Sequence, residues 1–581
     1  MKQGVALQMK ISVVITTHNR RQSLERCLAS LAAQTFPCDE FEVVVVADGC
    51  ADDTEEFLRT YAPPHPFRWI HQTNQGQPAA QNAGIAIATA AVVVLMDDDC
   101  ICDAGLVAAH YGAHQSGQQL VVIGPVLLHP DSPSGTLRDL KYQVEETEFR
   151  RLSSGGVRRS DLMLCANSSI NRNAALACPF DPAYKRMHDV EAGLRLWERG
   201  YRPRFCASAI AFELFTKPVE GVLSDSRYQG QYEVHLAKHS PQFKPLASLR
   251  RINEGGPLKR WLRKRMAIHA NAAEFVLRLA YGIAEPFRKF ALFRLLANRM
   301  LRARLGLRHL RGAVEATGSW KELERLFGVR IPVVIYHNVG SPRRGEYPGL
   351  TTPAAEFESQ IRLLVRMGYR AILPSDWLRW RAAGADLPER PVILVFDDGY
   401  REACHVAFPI LERYGFVAAC MLVTGCIGST NRWDEDAGRP SFELMGEDEI
   451  LEWSQKSIEF GGHTRSHCEL PLQSDERVES EIAGCKEDLT KLLGNAPVSF
   501  AYPFGSFSAA TEEVAGRHFP LGFISWPGRL HLGTHPLRIP RIAFLPGESR
   551  IGMWCRLRLG RNPFEVLQNR WRRLIGRKSP V

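Results

Sequence analysis

Short runs of β-branched residues recur along this chain, and nearly every run ends in a polar cluster. In the first half, ISVVITT spans residues 11–17, and FEVVVVADG, FRWI and AVVVLMDDD follow it in order. Helical patterns separate these runs: apolar residues recur at helix spacing from Leu24 to Leu31, and residues 82–89 predict a second helix. Strands that alternate with helices predict a parallel α/β sheet, which binds ligands beyond the ends of its strands.

The same alternation returns after residue 331. The runs PVVIYH, RPVILVFDDG, AACMLVT, IEFGGHT and VSFAYPFG predict strands, and residues 354–367 and 476–493 predict helices between them. Repeated strand–helix units of this kind predict a (β/α) barrel, whose chemistry lies at the carboxyl ends of the strands.

Between the two halves, residues 219–325 lose the strand pattern and gain helical periodicity, which is interrupted near Pro286. The stretch 250–311 contains 16 Lys or Arg residues against 3 Asp or Glu, an excess larger than the net charge of +10 of the whole chain. Contact with an anionic membrane surface, a solvated connector without a specific partner, and nucleic-acid binding are the three alternatives for this stretch. The mixture of Arg with Leu, Phe and Trp favours the membrane surface, and we expect no nucleic-acid partner.

A chain of 581 residues has room for about three domains. We place a first α/β domain at 1–225, a basic helical connector at 226–328 and a second α/β domain at 329–581. Fourteen cysteines without a C-x-x-C pair predict free thiols in a reducing compartment. The first ten residues lack the apolar core of a signal peptide, and no apolar run reaches the roughly 20 residues that span a bilayer. We therefore expect a cytoplasmic protein, or one lying on the inner face of the membrane.

Three adjacent carboxylates, Asp97, Asp98 and Asp99, come directly after the apolar run VVVLM. They repel one another, and a divalent cation shared with substrate phosphates would relieve that repulsion. A solvated acidic turn explains the triplet equally well when the triplet is considered alone.

The order of the other segments favours the cation. ISVVITTHNR, VVVVADGCADDT, TNQGQPAAQNAGI, LMDDD, NSSINRNA and HDVEAGLRLWERG follow one another over residues 10–215, and this ordered set resembles the family 2 glycosyltransferases of the GT-A (Rossmann-like) fold. The resemblance implies that Asp48 contacts the nucleobase and that Asp97 and Asp99 bind the sugar diphosphate and a divalent cation, Mg or Mn. It also implies that Asp189 deprotonates the acceptor hydroxyl in an inverting transfer.

Three positions depart from the pattern of that family. Ala47 stands where a carboxylate usually precedes Asp48, Gln81 stands where an Arg is usual, and His188 rather than Glu precedes the expected base. The Gln81 departure puts one phosphate contact in question. No Q-x-x-R-W signature follows the base, so we expect the transfer of one sugar rather than polymerisation.

In the second half, Asp397 and Asp398 follow a strand, and HTRSH supplies His463 and His467. Two imidazoles and one carboxylate form a metal-binding set with open positions, and a neighbouring carboxylate is placed to act as a base. Taken alone, H-x-x-x-H is equally well explained by surface histidines. With FAYPFG and YHNV added, the pattern over residues 330–545 resembles the NodB-homology polysaccharide deacetylases, carbohydrate esterase family 4.

This second resemblance implies a role for each residue of the set. Asp398, His463 and His467 would bind a divalent metal, with zinc as the favoured ion, and Asp397 would be the general base toward water. The backbone N–H of Tyr502 would stabilise the oxyanion formed from an N-acetyl carbonyl. His531 and His535 are the two alternatives for the general acid, and Arg541 would orient the base.

Together the two halves predict a bifunctional enzyme of envelope or exported polysaccharide biosynthesis. One half would transfer a sugar from a nucleotide sugar, with a UDP-sugar favoured, to a carbohydrate or lipid-linked acceptor, and the other would N-deacetylate a sugar. An active deacetylase whose degenerate transferase half binds glycan is the first alternative, and a membrane scaffold built on two inactive folds is the second. The sequence contains no P-loop, no G-x-S-x-G elbow and no zinc-finger spacing.

Overall fold

The computed structural model describes residues 9–116, 119–155, 166–383, 387–435 and 438–562. The chain divides into two compact units, and each unit takes its residues from two stretches. The first unit consists of Met1–His239 and Trp261–Leu323, and the second of Ser240–Arg260 and Glu324–Val581. The domain boundaries at 225 and 328 remain predictions.

The first unit contains ten of the described strands. They are β1 (Ile11–Thr17), β2 (Phe41–Asp48), β3 (Phe67–Gln72), β4 (Val92–Asp97), β5 (Cys100–Cys102), β6 (Leu120–Ile123), β7 (Val126–Leu128), β8 (Asn167–Asn171), β9 (Arg202–Phe205) and β10 (Ala211–Glu213). Seven of them form one sheet in the order β3-β2-β1-β4-β8-β6-β9, and β5, β10 and β7 form a small second sheet. The pairs among β3, β2, β1 and β4 are parallel, as predicted, whereas β8 runs antiparallel to both of its neighbours.

Helices cover both faces of the larger sheet, which is why its central strands are β-branched throughout. Val13 packs in one apolar cluster with Leu24 and Leu28, while the adjacent residue Val14 packs in another with Ile85. The helices that begin in this half are α1 (Arg21–Ala32), α2 (Thr54–Thr60), α3 (Gln77–Ile87), α4 (Leu106–Ala113), α5 (Thr136–Ser153), α6 (Arg172–Ala177), α7 (His188–Glu198) and α8 (Val219–His239).

The predicted bounds of β1 are confirmed, but the helix predicted at 82–89 begins earlier. It begins at Gln77 because Gly76, with φ of 89°, turns the chain and Pro78 occupies the first helical turn. The predicted helices of residues 219–325 are present as α8, α9 (Pro257–Ile268), α10 (Ala270–Ala284), α11 (Ala291–Thr317) and α12 (Trp320–Phe327).

Helices α8 and α11 cross closely in the first unit through two glycines. A Cβ placed on Gly312 would lie 1.9 Å from the carbonyl oxygen of Arg227, and one on Gly230 would lie 2.0 Å from that of His309. No side chain fits at either position, so the backbones approach more closely than ordinary helix packing allows.

The second unit holds the remaining strands. They are β11 (Arg330–Ile331), β12 (Val333–Tyr336), β13 (Asn338–Gly340), β14 (Thr351–Pro353), β15 (Arg370–Ala371), β16 (Pro391–Phe396), β17 (Ala418–Leu422), β18 (Ile458–Gly462), β19 (Ser499–Ala501), β20 (Leu521–Phe523), β21 (Leu530–His531) and β22 (Ile542–Ala543). Its helices are α13 (Ala354–Arg366), α14 (Pro374–Ala383), α15 (Phe408–Arg413), α16 (Arg432–Glu435), α17 (Glu447–Ser454), α18 (Asp475–Leu493), α19 (Ala509–His518) and α20 (Arg550–Leu559).

The main sheet of the second unit is parallel and follows the order β20-β19-β18-β17-β16-β12-β22, with β15 beside β16. An isolated bridge also joins Phe523, at the end of β20, to Ile539, just before β22. This arrangement confirms the predicted (β/α) barrel class. It also places the carboxyl ends of β12, β16, β18 and β19 side by side at one edge.

Two further predictions concern the cysteines and the membrane. All 13 cysteines in the described ranges are free thiols, and Cys165 lies outside those ranges. Within the same ranges, no helix combines the length and the apolar character that crossing a bilayer requires.

Candidate functional site

In the second unit, the candidate site lies at the carboxyl ends of β12, β16, β18 and β19. Asp397 and Asp398 directly follow β16, and His463 directly follows β18. His467 lies four residues beyond His463, and its ring also lies beside Asp398. All four side chains are buried, with exposed fractions between 2% and 7%.

Asp398 and the two histidines form a compact set of potential metal ligands. The Nε2 atoms of His463 and His467 lie 3.2 Å and 3.3 Å from Asp398 Oδ1, and the three ligand atoms all lie within 4.8 Å of one another. Among the described residues this is the one cluster of three such groups.

The hydrogen bonds around this cluster leave its inward-facing atoms without protein partners. His463 Nδ1 lies 2.7 Å from the carbonyl oxygen of Ala501, so this nitrogen carries the proton and donates it. The opposite nitrogen then offers a lone pair toward Asp398 Oδ1, a buried oxygen that accepts no hydrogen bond. A divalent cation fits between lone pairs that face one another in a buried site. The carbonyl oxygen of Ala501 fixes the orientation of the His463 ring, as hydrogen-bond partners of metal-binding histidines commonly do.

The backbone of the cluster adopts conformations that are rare for residues with side chains. Asp398, Thr464 and His467 have φ values of 73°, 64° and 59°, in the left-handed region. Each costs about 1–3 kcal/mol and persists where the surroundings impose it, as they do at ligand-binding positions. When the His467 and His463 rings carry an added proton, their positive charge outweighs burial and holds the pKa of Asp398 well below its ordinary value.

Asp397 has a different partner from Asp398. Arg541 Nη1 donates a 2.7 Å hydrogen bond to Asp397 Oδ1, and Arg541 Nε donates to the carbonyl oxygen of Ile524. Burial would raise the pKa of Asp397, but the Arg541 guanidinium outweighs it and lowers that pKa. Asp397 is therefore a carboxylate held beside the metal-ligand cluster without being part of it.

Aromatic rings surround His467. Trp433 stacks on it at a centroid distance of 4.5 Å, and Phe504 meets it edge-on at 4.8 Å. Phe504 is 62% exposed and has φ of 59°, so its ring stands at the surface of the site. The buried Tyr400 hydroxyl makes no hydrogen bond, and burial next to Asp398 raises the pKa of this tyrosine.

The remaining predicted residues lie in varied positions. The backbone N–H of Tyr502 donates to the carbonyl oxygen of Phe523 at 3.2 Å, within the ladder of β19 and β20. His531 pairs with Arg330 in the strand ladder of β11 and β21, and His535 lies 3.1 Å from a carboxylate oxygen of Glu512. Within the described residues, neither ring contacts the metal-ligand cluster.

His337 belongs to the YHNV segment but is not among the site residues predicted from the sequence. Tyr336 pairs with Phe396 in the ladder of β12 and β16, so His337 and Asp397 follow directly at adjacent strand ends. The charge of His337 also acts on both Asp397 and Asp398 and lowers the pKa of each. One feature of the sequence indicates His337. It directly follows an apolar run, as Asp397 does, and two such runs pair as neighbouring strands.

In the first unit, the predicted acidic triplet lies in a cavity of about 790 Å³. Asp97, Asp98 and Asp99 line it at the end of β4, and Asp48 lines it at the end of β2. Basic side chains lie around the same cavity, namely Arg20, Lys141, Lys185, Arg186 and Lys217. Carboxylates and cations facing one cavity fit a ligand that combines phosphate groups with a divalent ion.

The carboxylates of the triplet have distinct partners. Arg20 bonds Asp98 at 2.8 Å and Asp99 at 2.6 Å, while Thr17 donates to Asp98. Among the described residues, the Asp97 carboxylate accepts one side-chain hydrogen bond, from the Gln77 amide at 2.9 Å. Burial, together with repulsion from Asp99 and Asp98, raises the pKa of Asp97 to about 7. Of the three carboxylates, Asp97 is therefore the one that the protein neutralises least, and a bound cation would supply the positive charge it lacks.

Asp48 and Asp189 occupy different settings. Asp48 accepts hydrogen bonds from the backbone N–H groups of Gln75 and Gly76 and from the Gln72 amide, which fixes the loop before α3. Asp189 lies in the first turn of α7 and accepts from its neighbour Val190, and it is not among the residues that line the cavity.

Comparison with known proteins assigns both halves. Residues 12–175 match the sequence profile described as "Glycosyl transferase family 2", and residues 384–518 match that described as "Polysaccharide deacetylase". The chain joins a family 2 glycosyltransferase domain to a polysaccharide deacetylase domain. The first unit therefore contains the transferase domain, and the second contains the deacetylase domain.

Individual relatives match one domain at a time. YxkH of Bacillus subtilis, named as a polysaccharide deacetylase, is 24% identical over 40% of this chain and 77% of its own length. The glycosyltransferase AglE of Haloferax volcanii is 33% identical over 16% of this chain and 30% of its own length. The chain thus spans less than a third of that transferase.

Among solved structures, the mannosyltransferase PcManGT of Pyrobaculum calidifontis, in complex with GDP-Man and Mn2+, is similar at 20% identity. It covers 54% of this chain and 87% of its own length, with a TM-score of 0.38.

Proposed function

We propose that this protein transfers one sugar from a nucleotide sugar to an acceptor and removes the N-acetyl group of a sugar by hydrolysis. The observation that carries the deacetylase half is the buried cluster of Asp398, His463 and His467 beside the Asp397–Arg541 pair. The cavity around Asp97 and Asp99 supports the transferase half. Both activities would serve the synthesis of an envelope or exported polysaccharide.

In the deacetylase domain, Asp398, His463 and His467 would hold a divalent metal, with zinc favoured because two imidazoles and one carboxylate suit it. When bound, such an ion polarises a carbonyl oxygen and lowers the pKa of water. Asp397 would accept the proton of the attacking water, because its lowered pKa keeps it ionised and Arg541 holds its Oδ1 in place.

Two other residues complete the proposed deacetylase site. His337, at the adjacent strand end, donates a proton to the departing amine, and we favour it over His531 and His535 because of its register beside Asp397. The backbone N–H of Tyr502 would stabilise the oxyanion, which requires it to share or release its 3.2 Å bond to Phe523. The products are a free amine and acetate.

In the transferase domain, Asp97 and Asp99 would hold Mg or Mn and the sugar diphosphate, and the lysines around the cavity would contact the phosphates. Asp48 would contact the base, and we favour a UDP-sugar as donor. Asp189 would deprotonate the acceptor hydroxyl. Because Asp189 lies on α7, shortly after the cavity residues Lys185 and Arg186, this role requires the acceptor to extend along that helix.

One observation favours a second candidate for this half. Gln81, at the position where the family usually has Arg, is 2% exposed, and its side-chain oxygen makes no hydrogen bond. A transferase domain that binds a nucleotide sugar or glycan without turnover would tolerate this loss of a phosphate contact. Calorimetric donor binding without release of UDP would identify that case.

The decisive experiment follows two products from one donor. Purified protein is incubated with UDP-N-acetylglucosamine labelled in the acetyl group, divalent metal and lipid-phosphate vesicles, and the release of UDP and of acetate is measured. We expect both products from the wild type, acetate but no UDP from Asp97→Asn when an acetylated glycan is supplied, and UDP but no acetate from Asp398→Asn. Absence of acetate from every acetylated sugar tested would refute the deacetylase assignment.

The acceptor is proposed to be a lipid-linked sugar or lipid phosphate at the inner face of the membrane. The basic stretch 250–311 would bring the transferase domain to that surface.

A further inference from the structure

Exposed apolar side chains concentrate in one stretch of the first unit. Of the 25 large hydrophobic residues that are exposed in the described part of the chain, 12 lie between residues 261 and 296. Four of them belong to α10 and three to α11, with two phenylalanines between the helices. These nine define the apolar surface: Phe275, Val276, Leu279, Ile283, Phe287, Phe290, Leu292, Leu295 and Leu296.

On α10 these residues share one face, because positions 275, 279 and 283 follow at four-residue spacing. The opposite face packs inward, where Glu274 accepts a 3.0 Å hydrogen bond from the buried Arg304 of α11. The direction in which α10 presents its apolar face is therefore fixed by a buried ion pair. Phe275 and Leu292 are 69% and 72% exposed, so neither is part of the core of the unit.

The exposed charged side chains of residues 261–296 are positively charged. Residues 261–296 contain seven Lys or Arg and two Glu. Both glutamates turn inward, Glu274 to Arg304 and Glu285 to the backbone N–H of Thr136 at 3.1 Å. Arg278 and Lys289 are exposed among the apolar residues, and neither forms an ion pair with a described carboxylate. An apolar face with a basic border is complementary to an anionic bilayer surface.

We propose that the apolar surface of α10 and α11 inserts into the head-group region of an anionic membrane, with Arg278 and Lys289 contacting lipid phosphates. This proposal rests on the proposed function, because it specifies how the transferase domain reaches a lipid-linked acceptor. It chooses the membrane over a second copy of the chain because the exposed basic charges of the surface would repel their own copies across a symmetric interface.

A second cavity of the first unit is lined by residues of α5 and α11. It has a volume of about 650 Å³, and Arg138 and Tyr142 of α5 and Arg294 and Asn298 of α11 contribute to its lining. Arg294 follows Leu292 by two residues, so it lies on the opposite face of α11 from the apolar surface and turns toward α5. On α5, Lys141 lines the donor cavity one residue before Tyr142. Asp139 and Glu146 line the second cavity together with Arg138 and Arg294, so its charges balance and the proposed lipid contact does not include it.

Vesicle flotation of the full chain tests the proposal without any nucleotide sugar, so its result does not depend on transfer. We expect binding to vesicles of phosphatidylcholine with phosphatidylglycerol, and weaker binding to phosphatidylcholine alone. The variant Phe275→Ser/Leu279→Ser/Ile283→Ser should lower the partition coefficient at least about tenfold, because three apolar side chains no longer leave water. Arg278→Gln/Lys289→Gln should remove most of the dependence on anionic lipid and on salt.

The matched control is Val144→Ser/Leu176→Ser/Tyr228→Ser, which changes three exposed apolar residues of the same unit outside the apolar surface. It should bind vesicles like the wild type. Equal binding by both triple variants, or no vesicle binding by the wild type, overturns the proposal. A dimer in sedimentation velocity that only the Phe275 triple variant dissociates would assign the surface to a second copy instead. UDP release with a soluble acceptor is measured in parallel, and its loss alone would count against the proposed transfer and not against the membrane contact.

Discussion

Arg541 donates a 2.7 Å hydrogen bond to Asp397, and each is almost fully buried, with exposed fractions of 2% and 3%. The two residues are 144 positions apart in the chain. Asp398, the next residue, faces His463 and His467 instead of an arginine. Two neighbouring carboxylates at one strand end are therefore suited to different roles, one as a base and one as a metal ligand.

Arg541→Gln should lower the turnover number of acetate release by about 10²–10⁴-fold, because Asp397 loses the group that holds it in position. Bound metal, measured by elemental analysis, should remain at the wild-type level, and Arg541→Lys should restore part of the rate. Arg538→Gln is the control, since Arg538 pairs with Glu512 and is about half exposed. Loss of metal together with activity would show that Arg541 acts on the fold and not on the base.

His463→Ala should lower both metal content and acetate release more than about a hundredfold, because it removes a ligand whose ring is already fixed by the carbonyl of Ala501. His405→Ala, an exposed histidine that pairs with Glu449, should change neither quantity. Full activity of His463→Ala in metal-free buffer would contradict the proposed ligand set.

Asp97→Asn should lower UDP release to about a hundredth of the wild-type rate or less, because the donor site loses the carboxylate whose charge the protein neutralises least. Acetate release from a preformed acetylated glycan should be unchanged. Asp53→Asn, which alters an exposed carboxylate paired with Arg21, is the control. Unchanged UDP release by Asp97→Asn would rule out a donor site at this cavity.

Gly312→Ala should destabilise the first unit by about 1–3 kcal/mol, because the new methyl group would meet the backbone of α8. Gly306→Ala in the same helix meets nothing within 4 Å and should raise stability by about 0.5–1 kcal/mol. The measurement is the midpoint of denaturant unfolding. If both variants shift in the same direction, the close crossing of α8 and α11 is not tight in solution.

His110 gives the first unit an acid-sensitive component. Its ring lies 2.8 Å from both Ser169 Oγ and Asn167 Oδ1, and burial lowers its pKa to about 4. An unfolded histidine has a pKa of about 6.5, so the unfolded state binds a proton at pH values where the folded state does not. Stability is complete above about pH 6.5 and falls as the pH drops toward 4, by about 2 kcal/mol between pH 7 and pH 5.

The variant His110→Gln tests this component. It should lose about half of the pH dependence in denaturant unfolding, because burial also lowers the pKa of His114 to about 4 and His114 remains, whereas the exposed His71→Gln should retain all of it. An identical pH slope in His110→Gln and the wild type would exclude His110 as the cause.

The sequence predicted the strand–helix order well because buried parallel strands require long β-branched runs, as β1, β2 and β16 show. It also predicted Asp398, His463 and His467, which the fold brings together from two separate strand ends. The start of α3 was harder to predict, because it depends on the conformation of a single glycine.

Residues whose proximity depends on strand register could not be derived from local pattern. His337 lies beside Asp397 only because β12 pairs with β16 with Tyr336 opposite Phe396. The antiparallel direction of β8 was also hidden, since a short buried strand has the same sequence pattern in either direction. The Tyr502 N–H donates to the carbonyl oxygen of Phe523 because β19 pairs with β20, and the local sequence does not show that pairing.

The interleaving of the two compact units has a consequence for the inheritance of this protein. Because Trp261–Leu323 belongs to the first unit and Ser240–Arg260 to the second, a single crossover between residues 240 and 323 would divide both units. A recombinant gene carrying only the codons up to residue 239 would encode α8 without α11, its partner at the glycine crossing. We therefore expect the two activities to be passed on as one genetic module, exchanged whole and not half by half.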